Sequence, residues 1–279
     1  MGHGNNITAN PDKLNFGCGT RFSGNWVNID FHSTDKRVKR VNLLSGFPFP
    51  DASFGAVYSS HVLEHFERNQ GRFLLEESFR VLRKGGILRI VVPNLQGSCE
   101  EYLRILSLPD GPEKKRLYSW AIIELLDQMV RNKPAGQMGE YITNIIENGD
   151  EELKNYVRSR TENTEWNLPS KRPLAENLKR ITPQKLVTKI MYGYLKAVSL
   201  LIPPSMRSMV FVKTYIGERH RWMYDHYSMR TLLEEIGFSD VRSFTYNESN
   251  IPDFNSDHLD CNPDGEPYKH NSIYIEGTK

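Results

Sequence analysis

At 279 residues, 38% of them hydrophobic and 25% charged, with a formal net charge of +2, the chain reads as a soluble globular protein. Its length suits one large domain, or one domain with an inserted lobe. Three cysteines (Cys18, Cys99 and Cys261), odd in number and far apart, exclude a disulfide framework or a cysteine zinc site and point to a reducing compartment. The first six residues, Met1 to Asn6, hold no apolar signal core, and no run reaches membrane-span length, so a cytoplasmic protein is expected.

In chain order, residues 13–94 alternate short apolar runs with turns or a helix. Lys13–Phe16 is predicted as the first strand, Trp26–Ile29 as the second and Val38–Leu43 as the third. Phe54–Ser59 is the fourth, after the turn Pro48-Phe49-Pro50-Asp51. The spacing of Phe73, Leu74, Phe79, Val81 and Leu82 predicts a helix over Glu67–Leu82, with Arg83-Lys84 as its basic last turn and Gly85-Gly86 as its stop. Ile87–Val92 is a fifth, central strand that ends at Pro93. Strand–helix alternation of this kind predicts a parallel sheet covered on both faces. Only about eight residues separate the first three strands from one another, too few for full crossovers, so the first two covering helices are expected to shrink to about a turn. Further on, Tyr102–Leu106, Leu117–Arg131 and Tyr141–Ile146 read as helices, with Pro109, Pro112 and Pro134 as breaks. Tyr227–Ile236 is the last helix, followed by strands Val241–Thr245 and Ser272–Glu276.

The chemistry-bearing stretch is Leu14-Asn15-Phe16-Gly17-Cys18-Gly19-Thr20, followed by Asp30 at the end of the second strand. Two glycines one residue apart let the backbone turn sharply and approach a ligand. An acid at the next strand tip can accept both ribose hydroxyls, which together reads as a nucleoside site. A nicotinamide dinucleotide fits poorly, because Phe22 stands where a third glycine belongs and Asp30 comes too early. Cys18 reads as a small buried filler, Asp51 and Ser53 as turn formers and Asn94 as a cap. His61 and His65 lack a third ligand nearby in sequence, so no metal site is expected.

Residues 13–94 resemble a class I S-adenosylmethionine-dependent methyltransferase. The resemblance rests on Asn15 to Gly19, Asp30, Asn42-Leu43, Pro48 to Phe54, Ser59-Ser60-His61-Val62-Leu63-Glu64-His65 and Leu82 to Gly86, in that order. Residues 222–279 are similar to the terminal helix and antiparallel strand pair of the same family. The resemblance implies an α/β fold: a Rossmann-like seven-stranded methyltransferase sheet with shortened first helices and a large helical insertion. Residues 1–94 and 222–279 would form the cofactor-binding core, and residues 95–221 a helical lid over the acceptor. It also implies S-adenosyl-L-methionine as cofactor. Phe16, Gly17, Cys18 and Gly19 would line its methionine and ribose parts, with Asp30 on the ribose hydroxyls. Asn42 and Leu43 would stand beside adenine, while Ser60 and His61 would flank the sulfonium.

Methyl transfer from a sulfonium needs alignment and water exclusion, and a hydroxyl acceptor gains from a base. Histidine suits that role. His220 with Asp225 as its orienter, in Glu218-Arg219-His220-Arg221-Trp222-Met223-Tyr224-Asp225, is one candidate, and His61 is the other. That segment and Asp127 to Arg131 resemble stretches of methyltransferases from surface-polysaccharide and secondary-metabolite pathways. From Lys154 to Arg221, fourteen lysines and arginines face four glutamates. Such an excess implies an anionic partner. The expected activity is methyl transfer to a hydroxyl of a sugar or other small anionic acceptor, in glycan or natural-product biosynthesis. An RNA methyltransferase and a non-catalytic cofactor-binding scaffold are the alternatives, and nucleic acid is disfavoured because no RNA-binding module is recognisable. Leu186–Ile202, projected as a helix, opposes Lys185, Lys189 and Lys196 to Val187, Ile190, Met191, Tyr194, Val198 and Leu201. This is the pattern of a helix that lies on a membrane and, more commonly, of one packed on a lobe core; with the surrounding basic excess, weak peripheral contact at the inner membrane face is a further expectation.

Overall fold

The computed structural model describes residues 12–161, 193–203, 206 and 217–279. Its centre is a sheet of seven strands: β1 (Lys13–Phe16), β2 (Val27–Asp30), β3 (Val38–Arg40), β4 (Phe54–Ser60), β5 (Leu82–Pro93), β6 (Ser239–Phe244) and β7 (Ser272–Thr278). They lie in the order β3-β2-β1-β4-β5-β7-β6. The first five are parallel, and β7 runs antiparallel between β5 and β6. From β1 the chain builds outward first to β2 and β3, then reverses to β4 and β5. The crevice at the carboxyl ends of β1 and β4 is therefore the switch point, where sheets of this kind bind ligands.

Alternation along the strands sorts side chains to two faces. Leu14, Val57, Leu88 and Ile90 join Leu74 and Leu75 of α1 (Arg68–Val81) and Met229 and Leu233 of α6 (His226–Ile236) in the larger core. Ala56, Tyr58 and Val91 face the other way, against Trp26, Ile251, Phe254 and Leu259. The second face is thus covered by the segment before β7 rather than by helices. The connections β1–β2 and β2–β3 contain turns alone, not the one-turn helices expected. Asp257 pins the covering segment by accepting hydrogen bonds from Ser23 Oγ, Asn25 Nδ2 and Trp26 Nε1. With the loop in place, those short connections need no helix to bury the strands.

Two boundaries differ from expectation for local reasons. β3 ends at Arg40, and Asn42 caps a short 3₁₀ turn over Leu43–Ser45. α1 starts from a capping box between Glu67 and Gln70 and stops at Val81. Leu82 to Gly86 already belong to β5: Leu82 pairs with Phe54, and Gly85, at φ +78°, donates its N–H to Lys279 O at 2.7 Å. The Gly85-Gly86 pair serves a strand irregularity instead of a helix stop.

Between β5 and α6 the described chain forms α2 (Leu95–Leu106), α3 (Pro112–Val130), α4 (Gly136–Asn148) and α5 (Glu151–Arg158). Pro112 opens α3 rather than breaking it, since the first helical turn leaves its N–H unpaired in any case. Trp120, Ile145, Leu153 and Val157 give these helices a core of their own. Of the projected helix Leu186–Ile202, residues 193–199 are helical and 186–192 lie outside the described residues.

Candidate active site

The loop after β1 shows why glycine is needed there. Gly17 adopts φ +65°, and a Cβ on it would stand 2.4 Å from Val62 Cγ2. Its N–H and that of Cys18 donate to Ile29 O at 2.8 and 3.4 Å, which ties the turn to β2. Gly19 N–H then donates to Asp30 Oδ2 at 2.8 Å, and His32 N–H to Oδ1 at 2.8 Å. Each carboxylate oxygen thus accepts one backbone N–H and keeps capacity for a further donor. Phe31, 54% exposed beside it, offers a flat ring to a base.

A cavity of about 300 Å³ opens from this turn, lined by Asn15, Gly17 to Arg21, Tyr58, Ser60, His61, Tyr268 and Lys269. The cradle fits S-adenosylmethionine: a bare backbone turn for the amino-acid end, a strand-tip acid hydrogen-bonded to that turn and an imidazole in the lining. Of the residues expected there, Gly17, Cys18, Gly19, Ser60 and His61 come together at the cavity. Asp30 is not among the lining residues and reaches the cavity only through its hydrogen bond with Gly19. Asn42 and Leu43 do not line it: they follow Val41, whose N–H donates to Asp30 O at 2.9 Å, and Asn42 holds the N–H of Leu44 while Leu43 is in the core. Phe16 is wholly buried in the core and lends the site only its position before Gly17. Burial, helped by Asp30, pushes the Cys18 thiol up to about 12, so it is inert filler.

A second cavity of about 290 Å³ lies between the strand ends and the helices. His61 and Lys269 line both cavities, and His220, Glu124, Gln128 and Arg160 line the second. His61 holds a left-handed backbone, φ +53°, with its N–H on Val91 O at 2.8 Å and Nε2 3.0 Å from Ser272 Oγ. Burial and then Lys269 hold its ring below the usual imidazole range, against an opposing pull from Glu64. Burial takes His220 down to about 4.

The segment before α6 is strapped across this region. His220 N–H donates to Gln128 O, Arg219 Nη2 to Met129 O and Arg221 N–H to Glu64 O. The segments Asp127 to Arg131 and Glu218 to Asp225, far apart in sequence, are thereby joined. Asp225 does not orient His220: its carboxylate caps α6 in a capping box with Ser228. The carboxylate beside the histidines is Glu64, fully buried, with Oε1 3.3 Å from His61 Nδ1 and off the hydrogen-bond direction. Glu64, Glu124, Arg160 and Lys269 were not singled out as site residues by sequence. Glu124 accepts from Trp120 on its own helix and from Ser98, Arg160 and Asn271, which reach it from three other parts of the chain.

The family described as "Methyltransferase domain" matches residues 14–90. Among solved structures, an S-adenosylmethionine-dependent methyltransferase from Methanosarcina mazei is similar at 13% identity, covering 97% of this chain and 93% of its own, with a TM-score of 0.38. One from Archaeoglobus fulgidus is similar at 11% identity over 96% and 85% of the two chains, with a TM-score of 0.36. The [4+2]-cyclase SpnF is similar at 18% identity over 30% of this chain and 39% of that one, with a TM-score of 0.25. The comparison with curated proteins finds no match. The domain match begins in β1 and ends in β5, spanning the glycine turn, Asp30 and the tip of β4, so this stretch of the chain carries a methyltransferase domain.

Proposed function

We propose that the protein methylates a hydroxyl of a sugar or another small anionic acceptor, in glycan or natural-product biosynthesis. The observation that carries this reading is the sharing of His61 and Lys269 between the two cavities. The cofactor supplies an already activated methyl on sulfur. What remains for the protein is to hold an acceptor oxygen in line and dry, and to take its proton. His61, which lines both cavities, is the base we assign to that proton, with Ser272 Oγ 3.0 Å from its Nε2. Lys269 brings positive charge to the same junction, which favours an anionic acceptor. His220 shapes the wall of the second cavity.

The activity is expected to be peripheral to a membrane carrying lipid-linked sugars. Exposed Tyr194, Leu200 and Leu201 beside Lys196 support that placement.

The test is transfer of radiolabelled methyl from S-adenosylmethionine to nucleotide-linked sugars, diphospholipid-linked sugars and total RNA in parallel. Label in a sugar fraction, reduced about 10²–10⁴-fold by His61→Ala with cofactor affinity retained, is expected. Label confined to RNA would overturn the acceptor class, and full turnover by His61→Ala would remove the base.

A further inference from the structure

Glu64 has no exposed surface, and neither carboxylate oxygen makes a well-directed hydrogen bond among the described residues, His61 Nδ1 approaching Oε1 to 3.3 Å off the hydrogen-bond direction. Imidazoles surround it. His65 Nε2 lies 3.9 Å from Oε1, and one donor atom from each of Glu64, His65 and His220 falls within 4.8 Å of the other two. The other nitrogen of His65, Nδ1, sits 3.0 Å from Arg219 O. A carbonyl oxygen only accepts, so Nδ1 carries the proton and Nε2 keeps a bare lone pair. That lone pair faces a carboxylate oxygen that also has only lone pairs to offer. Two acceptors held face to face in a dry site require something positive between them.

We infer that Glu64, His65 and His220 bind one divalent transition-metal ion, with zinc the best fit. Two imidazole nitrogens and one carboxylate oxygen are a donor set suited to zinc and its first-row neighbours. Zinc bonds of about 2.0–2.2 Å would draw the three donors inward by roughly 1 Å from their present spacing. The backbone bond from His65 to Arg219 O is the outer-sphere contact that fixes a ligating histidine's tautomer and orientation. Three protein ligands leave a position for a further donor, and His220 lies in the wall of the second cavity, so that position opens toward the acceptor. There the ion polarises an acceptor hydroxyl beside His61. Sequence spacing alone does not show the site, because its third ligand arrives on a strap far downstream.

The test uses the full chain after chelator treatment, titrated with cobalt(II) alone and then zinc(II) alone. One equivalent of cobalt with ligand-field absorption, displaced by one equivalent of zinc, is expected. His220→Ala and Glu64→Gln should each weaken binding by about tenfold or more. His226→Ala, at a half-buried histidine paired with Ser243 outside the cluster, should leave it unchanged. Cofactor binding by calorimetry checks that each variant is folded. X-ray absorption of the zinc-loaded parent, expected to show imidazole and oxygen donors, decides the matter where a variant fails to fold. No stoichiometric metal, a zinc spectrum without imidazole, or affinity unchanged in a folded His220→Ala overturns the site. In the first case a doubly protonated His65 is what faces Glu64. None of these readouts depends on methyl transfer, so the metal site and the acceptor reading stand or fall separately.

Discussion

Asp30 is held by one backbone N–H on each carboxylate oxygen, from Gly19 and from His32, before any ligand arrives. Preorganisation of this kind concentrates its value in the bound state. Asp30→Ala leaves both N–H groups and a ribose diol without their shared acceptor, at roughly 1–3 kcal/mol. Calorimetry should therefore show S-adenosylmethionine affinity falling about 5- to 150-fold; equal binding by the variant would move the ribose elsewhere. Cys18, in the same turn, makes a complementary case. With its thiol pushed up to about 12, only about one molecule in 10⁴ is thiolate at pH 8, and the thiolate is the reactive form. Alkylation at pH 8 should mark the exposed Cys99 and spare Cys18, as peptide mass spectrometry of the labelled protein can read. Rapid labelling of Cys18 in folded protein would mean that the turn opens. Both residues were legible in the sequence because a turn is a local object: its glycines, its filler and its acid all fall within seventeen residues of the chain.

The strands follow the same logic until long-range polar contacts enter. β5 reads as an apolar central strand, and its central Arg89 breaks that pattern without revealing why. The structure supplies the reason. Arg89 is fully buried, with Nε on Asp260 Oδ2 at 2.7 Å and Nη1 on Glu276 Oε1 at 2.9 Å, while Tyr58 donates to Asp260 Oδ1 at 2.5 Å. Asp260 belongs to the segment that replaces the missing helices over the second face, so the cluster anchors that cover to the sheet. A buried pair contributes little net stability when whole, yet breaking it strands a charge. Arg89→Met leaves two carboxylates without their cation and should cost about 3–5 kcal/mol, seen as a lower urea midpoint at unchanged slope. A loss below about 1 kcal/mol would show that water reaches the cluster. No spacing rule pairs residue 89 with residues 260 and 276, which is why the cover on this face was expected as helices.

At the scale of the whole molecule, the second cavity forms where remote stretches meet, among them the tip of β4, the strap before α6, and the loop leading into β7. The first and second were visible as motifs. Their meeting around Glu64, and the role of Lys269 at the shared wall, depend on how the lobe helices close over the sheet. The same scale governs where the enzyme works. In the described part of the projected helix, residues 193–199 are helical; Tyr194 is 65% and Leu201 85% exposed, with Lys196 also on the surface. Large apolar side chains held in water beside a lysine fit an interfacial helix better than a packed one. Anionic lipid attracts each nearby basic group by up to about 1 kcal/mol, and salt screens that attraction within a Debye length. Flotation with vesicles of mixed neutral and anionic lipid should carry the protein upward at low salt and release it as salt rises. Vesicles of neutral lipid alone should carry less. Leu200→Asp with Leu201→Asp should abolish flotation while leaving cofactor affinity intact, because both residues stand away from the cavities. Flotation that ignores lipid charge, or survives the double substitution, would assign the contact to another surface; none at low salt would leave the exposed helix face without a lipid partner.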